Sequence, residues 1–255
     1  MTPGLIVGIA TIGAALGIAI GATGIGGVLL VPILTLALGL DVKHAIAAAL
    51  LSYLPGCAVA VVLYGRRGSI PWREAWLLCL AAVPAAWFGA RAARDAPASL
   101  LEAAIGALLL AGGLYALRAP RYARAVGQVA LAPMTLLCVG GGTGFVSAMT
   151  GAGGAFVLLP VLLLLDTPVL AAIGLGQTIA IPIAGLASLA NLQAGLVDVG
   201  LATGLAVALA LGIAIGTPIA HALPQPVLRR LLGVMVVLAG AGMLLRMAAR
   251  VLGLE

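Results

Sequence analysis

The fold class this sequence predicts is an all-α, polytopic integral membrane protein of about eight membrane segments in two similar halves. Three observations carry that reading. Charged residues make up 8% of the 255 and hydrophobic residues 64%, whereas a soluble globular domain has about 25% charged residues to keep its surface wet. The few charges divide the chain into apolar runs of spanning length. Landmarks of the first half also recur in the second at one constant offset. A mean hydropathy of +1.27 agrees. Together these exclude a soluble enzyme, a disordered chain and a secreted disulfide scaffold.

The segments follow from the charges in order. Residues 1–40 contain no Asp, Glu, Lys or Arg, and Asp41 and Lys43 end that run. A second run extends from His44 to Gly65, and the polar loop Arg66 to Glu74 follows it. Residues 75–90 are apolar up to Arg91, Arg94 and Asp95; residues 103–117 are apolar up to Arg118, and Arg121 and Arg124 close the first half. The second half runs 125–165, Asp166, 167–197, Asp198, 199–228, Arg229 and Arg230, then 231–245. A spanning helix needs about 20 apolar residues. The two runs of about 40 are therefore too long to stay straight, since such a helix would be about 60 Å long, twice the hydrocarbon thickness. Each contains a glycine cluster: Gly21, Gly24, Gly26 and Gly27 in the first, and Gly151, Gly153 and Gly154 in the second. Each run is expected to break there, as a discontinuous helix or a re-entrant hairpin.

A shift of 127 residues superposes the landmarks. Gly24, Gly26 and Gly27 fall on Gly151, Gly153 and Gly154; Pro55 falls on Pro182, Gly68 on Gly195, Gly89 on Gly216, Pro97 on Pro224 and Gly106 on Gly233. Pro32 misses Pro160 by one position. The expected division is a first membrane repeat over 1–124 and a second over 125–255. If each cluster only kinks a span, the halves are parallel. If each turns the chain back, they are inverted. The Lys/Arg count gives eight against five in both cases and does not choose between them. Both place residues 65–74 and 118–126 on the cytoplasmic side. We favour inversion, because a run of about 40 has room for a hairpin, and inversion brings the two glycine turns together near the midplane.

Glycine clusters permit either close helix packing or a ligand site. Each glycine in a helix interior costs about 1 kcal/mol relative to Ala, and broken backbone at membrane depth survives only where it is buried in protein or lines a cavity. The N–H groups of the half-helix after such a break point into that cavity and favour an anion. The candidate binding residues are Thr23, Gly24, Gly26 and Gly27 at the first break and Thr150, Gly151, Gly153 and Gly154 at the second. Ser52 and Tyr53 lie just before Pro55, Gln177 and Thr178 just before Pro182, each pair about a turn ahead of a helix-breaking proline. Their alternative role is to bond backbone or a neighbouring helix. Asn191 and Gln193 read as interfacial.

Other chemistries lack their residues. No carboxylate lies deep in an apolar run, since Asp41, Asp166 and Asp198 sit at segment ends, which argues against a buried proton relay. His44 and His221 form no metal motif. No Lys-Ser/Thr follows the glycines as a phosphate-binding loop requires, and no strands accompany them as a dinucleotide fingerprint does. Cys57, Cys79 and Cys138 lack redox spacing and read as packing residues. Trp72, Trp76 and Trp87 fit interfacial belts. A net charge of +6 is accounted for by topology rather than by nucleic acid. The start lacks a basic n-region and reads as a retained helix, not a cleaved leader. No catalytic residues, cofactor or metal are expected.

The chain resembles the TauE/SafE sulfite exporter family of membrane permeases over nearly its whole length. The resemblance rests on GATGIGGVLLVPIL near the start, YGRRGSIPWREA over 64–75, GARAA after the third segment, and GAGGAFVLLPVLL in the second half. The second half departs from the first at Gln193-Ala194-Gly195, where the arginines of Arg66-Arg67-Gly68 are missing. The resemblance implies a secondary transporter in the bacterial inner membrane for sulfur-containing anions such as sulfite or organosulfonates, working by alternating access. The expected partners are a small anion and the lipid bilayer, and a homodimer is compatible with this. The rivals are an anion channel, a non-transporting membrane scaffold and, weakest, a membrane enzyme.

Overall fold

The computed structural model describes residues 3–24, 26–118, 131–165 and 167–222, with isolated positions between 230 and 249. The described residues are helical without strands. In order they form α1 (Pro3–Thr23), a 3-10 turn (Gly26–Leu29), α2 (Leu30–Ala37), α3 (Val42–Arg66), α4 (Trp72–Asp95), α5 (Ala98–Arg118), α6 (Pro133–Thr150), α7 (Gly154–Leu164), α8 (Val169–Gln193) and α9 (Val199–Ala222). Four stretches among them are long and apolar enough to cross a membrane: α3, α4, residues Leu170–Gln193 of α8, and α9. The repeat partners Pro224 and Gly233, the acid Asp166 and the junction at 119–130 lie outside the described residues.

Helix ends recur at the same offset as the glycines. Shifted by 127, Val42–Arg66 becomes Val169–Gln193, and Trp72–Asp95 becomes Val199–Ala222. The stop signals are also shared. After α3, Gly68 takes φ 67°, its N–H meets Gly65 O at 3.0 Å and Ser69 N–H meets Tyr64 O at 3.1 Å. After α8, Gly195 takes φ 69°, its N–H meets Leu192 O at 3.0 Å and Leu196 N–H meets Asn191 O at 3.1 Å. Both are Schellman turns, which need a residue without Cβ in the left-handed region. Two of the segment-end acids start helices: Asp41 accepts from Lys43 N–H and Asp198 from Leu201 N–H, both at 3.0 Å.

Pro55 and Pro182 do not break their helices. α3 and α8 run through them. Each proline leaves a carbonyl four residues earlier without its helical donor, and for Pro182 that carbonyl, Thr178 O, accepts from Cys79 Sγ of α4 at 4.0 Å. A neighbouring helix thus supplies what the proline removes.

α1 packs on α9, and α6 packs on α4. On α1, Gly13 faces Ala208, Gly17 faces Leu209 and Gly212, and Gly21 faces Ile213 and Thr217 of α9. On α6, Gly140 faces Leu78, Gly144 faces Ala82, and Phe145 abuts Gly89 of α4. Backbones approach this closely only where Cβ atoms are missing: one placed on Gly17 would lie 2.9 Å from Gly212 Cα. Both pairs run in the same direction. α3 also runs with α9, since Ser52 reaches Ala202 O and Arg67 reaches Thr217 O. By contrast α3 and α8 run oppositely, with Gly174 against Ser69 and Ile70 and Gly185 against Leu54. The flanks are apolar and open, with Trp72, Trp76, Leu80 and Phe88 of α4 and Val207, Leu211 and Ile215 of α9 exposed.

Candidate functional site

The two glycine clusters are two chain breaks. α1 ends where Gly24, at φ 74°, donates its N–H to Ile20 O at 2.8 Å. Gly26 and Gly27 open the 3-10 turn that leads to α2. α6 ends at Gly151, at φ 68°, whose N–H meets Ser147 O at 2.9 Å; Gly153 follows at φ 76° and α7 begins at Gly154. The left-handed conformations at Gly24, Gly151 and Gly153 explain why glycine stands at these positions.

The breaks meet against the middle of α3. The Tyr53 hydroxyl donates to Gly27 O, and the Tyr53 ring covers Gly153, where a Cβ would lie 3.6 Å from it. A Cβ on Gly27 would be 3.6 Å from Ala152 O, and one on Gly24 would be 3.7 Å from Ala155 Cβ. Gly154 instead faces Ile179 and Ala180 of α8. Ala180 is Tyr53 shifted by 127, so the tyrosine is present on one side only. Tyr64, one face further along α3, donates to Gly21 O at 3.0 Å, and Gln177 Nε2 donates to Ile20 O at 3.4 Å. The carbonyls ending α1 are thus satisfied from α3 and α8, as buried acceptors require.

Apart from Tyr53, the hydroxyls among the candidates bond backward along their own helices, and Ser52 also reaches across to α9. Thr23 donates to Ala19 O at 2.8 Å, Thr150 to Val146 O at 2.7 Å and Thr178 to Gly174 O at 2.8 Å. Ser52 divides its one proton between Ala48 O at 2.6 Å and Ala202 O at 3.1 Å. In this conformation they offer lone pairs rather than protons, which does not suit an anion. Among the described residues, groups at the junction that can donate include the N–H groups that open α7, at Gly154 and Ala155, which precede any intrahelical acceptor, and the second N–H of Gln177. Phe156 N–H is taken by Gly153 O at 3.3 Å. Backbone dipoles at a helix N-terminus favour negative charge. The arrangement carries no nucleophile paired with a base, and among the described residues no group of His, Cys, Asp and Glu is placed to hold a metal ion.

Spacing alone did not reveal three further groups. At the α3 C-terminus, Arg67 Nη1 lies 3.1 Å from His221 Nδ1 and 3.3 Å from Thr217 O, with the Tyr64 and His221 rings 5.3 Å apart. At the other end of α3, Lys43 Nζ donates to Arg94 O at 2.7 Å. Asn191, read from sequence as interfacial, is buried, while Gln193 is exposed. These contacts join residues 51 to 154 positions apart, so only the fold reveals them. Trp72 and Trp76 are exposed at the start of α4, as interfacial tryptophans are, and Trp87 lies under the Arg91 guanidinium, 4.7 Å from its ring centre.

Compared with known proteins, the family model described as sulfite exporter TauE/SafE matches residues 9–243. No curated protein and no solved structure matches the chain.

Proposed function

The chain belongs to the sulfite exporter TauE/SafE family, a family of membrane transporters for sulfur compounds, and we propose that it is a secondary carrier of small sulfur oxyanions. In this reading sulfite or an organosulfonate crosses the bacterial inner membrane by alternating access. The observation that supports the proposal is the meeting of the two glycine breaks at Tyr53, with the buried N-terminus of α7 close by. A helix N-terminus favours negative charge by about 0.3–1 kcal/mol at an exposed site and up to about 2 kcal/mol when partly buried.

We take residues 1–124 and 125–255 as two repeats of inverted orientation. Supporting inversion, α1 runs with α9 and its counterpart α6 with α4, while α3 and its counterpart α8 run oppositely. Rocking one repeat against the other would expose the breaks to each side in turn. Burial favours a carrier over an open channel: Ser52 is 0%, Gln177 1% and Tyr53 3% exposed, so an anion needs a rearrangement to enter. The open apolar flanks of α4 and α9 suit lipid contact or a homodimer.

The test is uptake of labelled sulfite, sulfoacetate, taurine and sulfate into proteoliposomes, with unlabelled competitors. Saturable uptake of a sulfur anion supports the carrier. Flux that grows linearly with concentration supports a channel, and no flux of any of the four by folded protein removes the sulfur-anion assignment.

A further inference from the structure

Away from the glycine breaks, a cluster of side chains ties the end of α3 to the end of α9, where the Arg66–Glu74 loop begins. We propose that Arg67 and His221 form a proton-sensitive latch there, closed while the imidazole is neutral and released when it is protonated.

The first observation is that one ring nitrogen stands between a donor and an acceptor. His221 Nδ1 lies 3.1 Å from Arg67 Nη1 and 3.0 Å from Thr217 O. A guanidinium only donates and a carbonyl only accepts, so the nitrogen serves one of them at a time. With a lone pair on Nδ1 the ring accepts from Arg67, a charge-assisted bond. The imidazolium has a proton on both nitrogens. Its Nδ1–H donates to Thr217 O and meets Arg67 with an N–H and a like charge. Arg67 Nη1 also donates to Thr217 O at 3.3 Å, and the protonated ring contests that acceptor too. Protonation therefore acts against both bonds by which Arg67 holds α9.

The second is the charge around the ring. α9 packs against α1 and α3. α1 carries no charged or titratable side chain, and α1, α3 and α9 contain no Asp or Glu. From α3, Tyr64 and Arg67 reach the ring, with Arg66 exposed beside them; Arg73 and Glu74 belong to α4. No carboxylate from the packed helices offsets a second positive charge beside Arg67. His221 is exposed, so it exchanges protons directly with the solution at that end.

The third is what the latch closes on. The Tyr64 ring packs 5.3 Å from His221, and its hydroxyl donates to Gly21 O at 3.0 Å. Gly21 abuts Thr217, whose N would stand 3.0 Å from a Cβ there. The ends of α1, α3 and α9 thus meet in one cluster, about a turn before Gly24 and the first break. The device is one-sided. Shifted by 127, Tyr64, Arg67, Thr217 and His221 correspond to Asn191, Ala194, Ala90 and Arg94, with no imidazole among them. A latch at one end makes the molecule respond to the pH of one face only.

The test is the distance between spin labels at Arg66→Cys on α3 and Ala222→Cys on α9, in the full chain in liposomes with Cys57, Cys79 and Cys138 replaced. It is followed from about pH 8 to about pH 5, where histidine side chains titrate. Acidification should raise the population at longer separation by about two- to fivefold, the scale of an exposed charged contact. His221→Gln, which takes up no proton, should remove the response, and His44→Gln should keep it. Arg67→Gln should show the longer separation throughout the range. His221→Gln carries the test if Arg67→Gln fails to fold. No pH response in the parent chain, an undiminished response in folded His221→Gln, or a short separation throughout in folded Arg67→Gln overturns the latch. The readout needs no transported anion, so it stands or falls apart from the carrier reading.

Discussion

Tyr53 touches both breaks at once, its hydroxyl on Gly27 O and its ring on Gly153. Tyr53→Phe leaves a buried carbonyl without its donor, a loss of about 1–3 kcal/mol. The expected outcome is a lower Tm of the purified protein together with slower sulfite uptake; an unchanged Tm would mean that the hydroxyl is not holding the break. The glycines separate by what they can accept. At Gly27 a Cβ would meet Tyr53 at an ordinary 3.5 Å, so Gly27→Ala should fold. Gly24, Gly151 and Gly153 sit at positive φ, and Ala at any of them costs about 1–2 kcal/mol in backbone strain, read as a fall in Tm. Gly154 has Ile179 Cγ2 only 2.9 Å from where a Cβ would stand, which makes Gly27 the cleaner probe of transport. The sequence pointed to these glycines because three within four residues make a poor helix. It could not tell that Thr23, Thr150 and Thr178 spend their protons on carbonyls four residues back, because a threonine beside a break reads the same with its hydroxyl turned either way.

Helix packing explains a different set of glycines. Gly17 and Gly212 let α1 and α9 approach until a Cβ on Gly17 would stand 2.9 Å from Gly212 Cα and 3.0 Å from Leu209 Cα. That contact is with backbone, which cannot turn aside. Gly17→Leu should therefore cost at least about 1–3 kcal/mol and broaden or abolish the monodisperse gel-filtration peak, whereas Gly204→Leu, with open space around it on the same α9, should fold normally. Equal behaviour of the two would contradict the packing. At this scale the sequence was informative about limits and misleading about prolines. The offset paired Gly68 with Gly195, and in the structure these two end α3 and α8, because only glycine takes their φ cheaply. Pro55 and Pro182 looked like breaks. They lie within continuous helices; at Pro182 Cys79 of α4 reaches the freed Thr178 O, and periodicity along one chain does not report a neighbour.

Over the whole molecule, the offset of 127 was legible because glycine and proline mark backbone geometry, and the same geometry recurs. Direction was not legible: eight basic residues against five fits either orientation, and the turn at each break is a matter of local backbone rather than composition. Arg67 and His221 were hidden for a related reason, since they meet from two helices. Inversion predicts sidedness. Arg66 and Gln193 are equivalent by the shift and both exposed. With Cys57, Cys79 and Cys138 replaced, a membrane-impermeant thiol reagent should label Arg66→Cys and Gln193→Cys from opposite faces of the membrane. Labelling from the same face would show the halves to be parallel.

The central claim, a sulfur-anion carrier built on the meeting of two glycine breaks, is tested most directly by counterflow of labelled sulfite in proteoliposomes loaded with unlabelled sulfite. Wild type should show accelerated, saturable exchange, Gly27→Ala should retain a reduced rate, and folded Gly27→Leu should lose it. Undiminished exchange in folded Gly27→Leu would contradict the site, and absence of exchange in folded wild type would contradict the carrier.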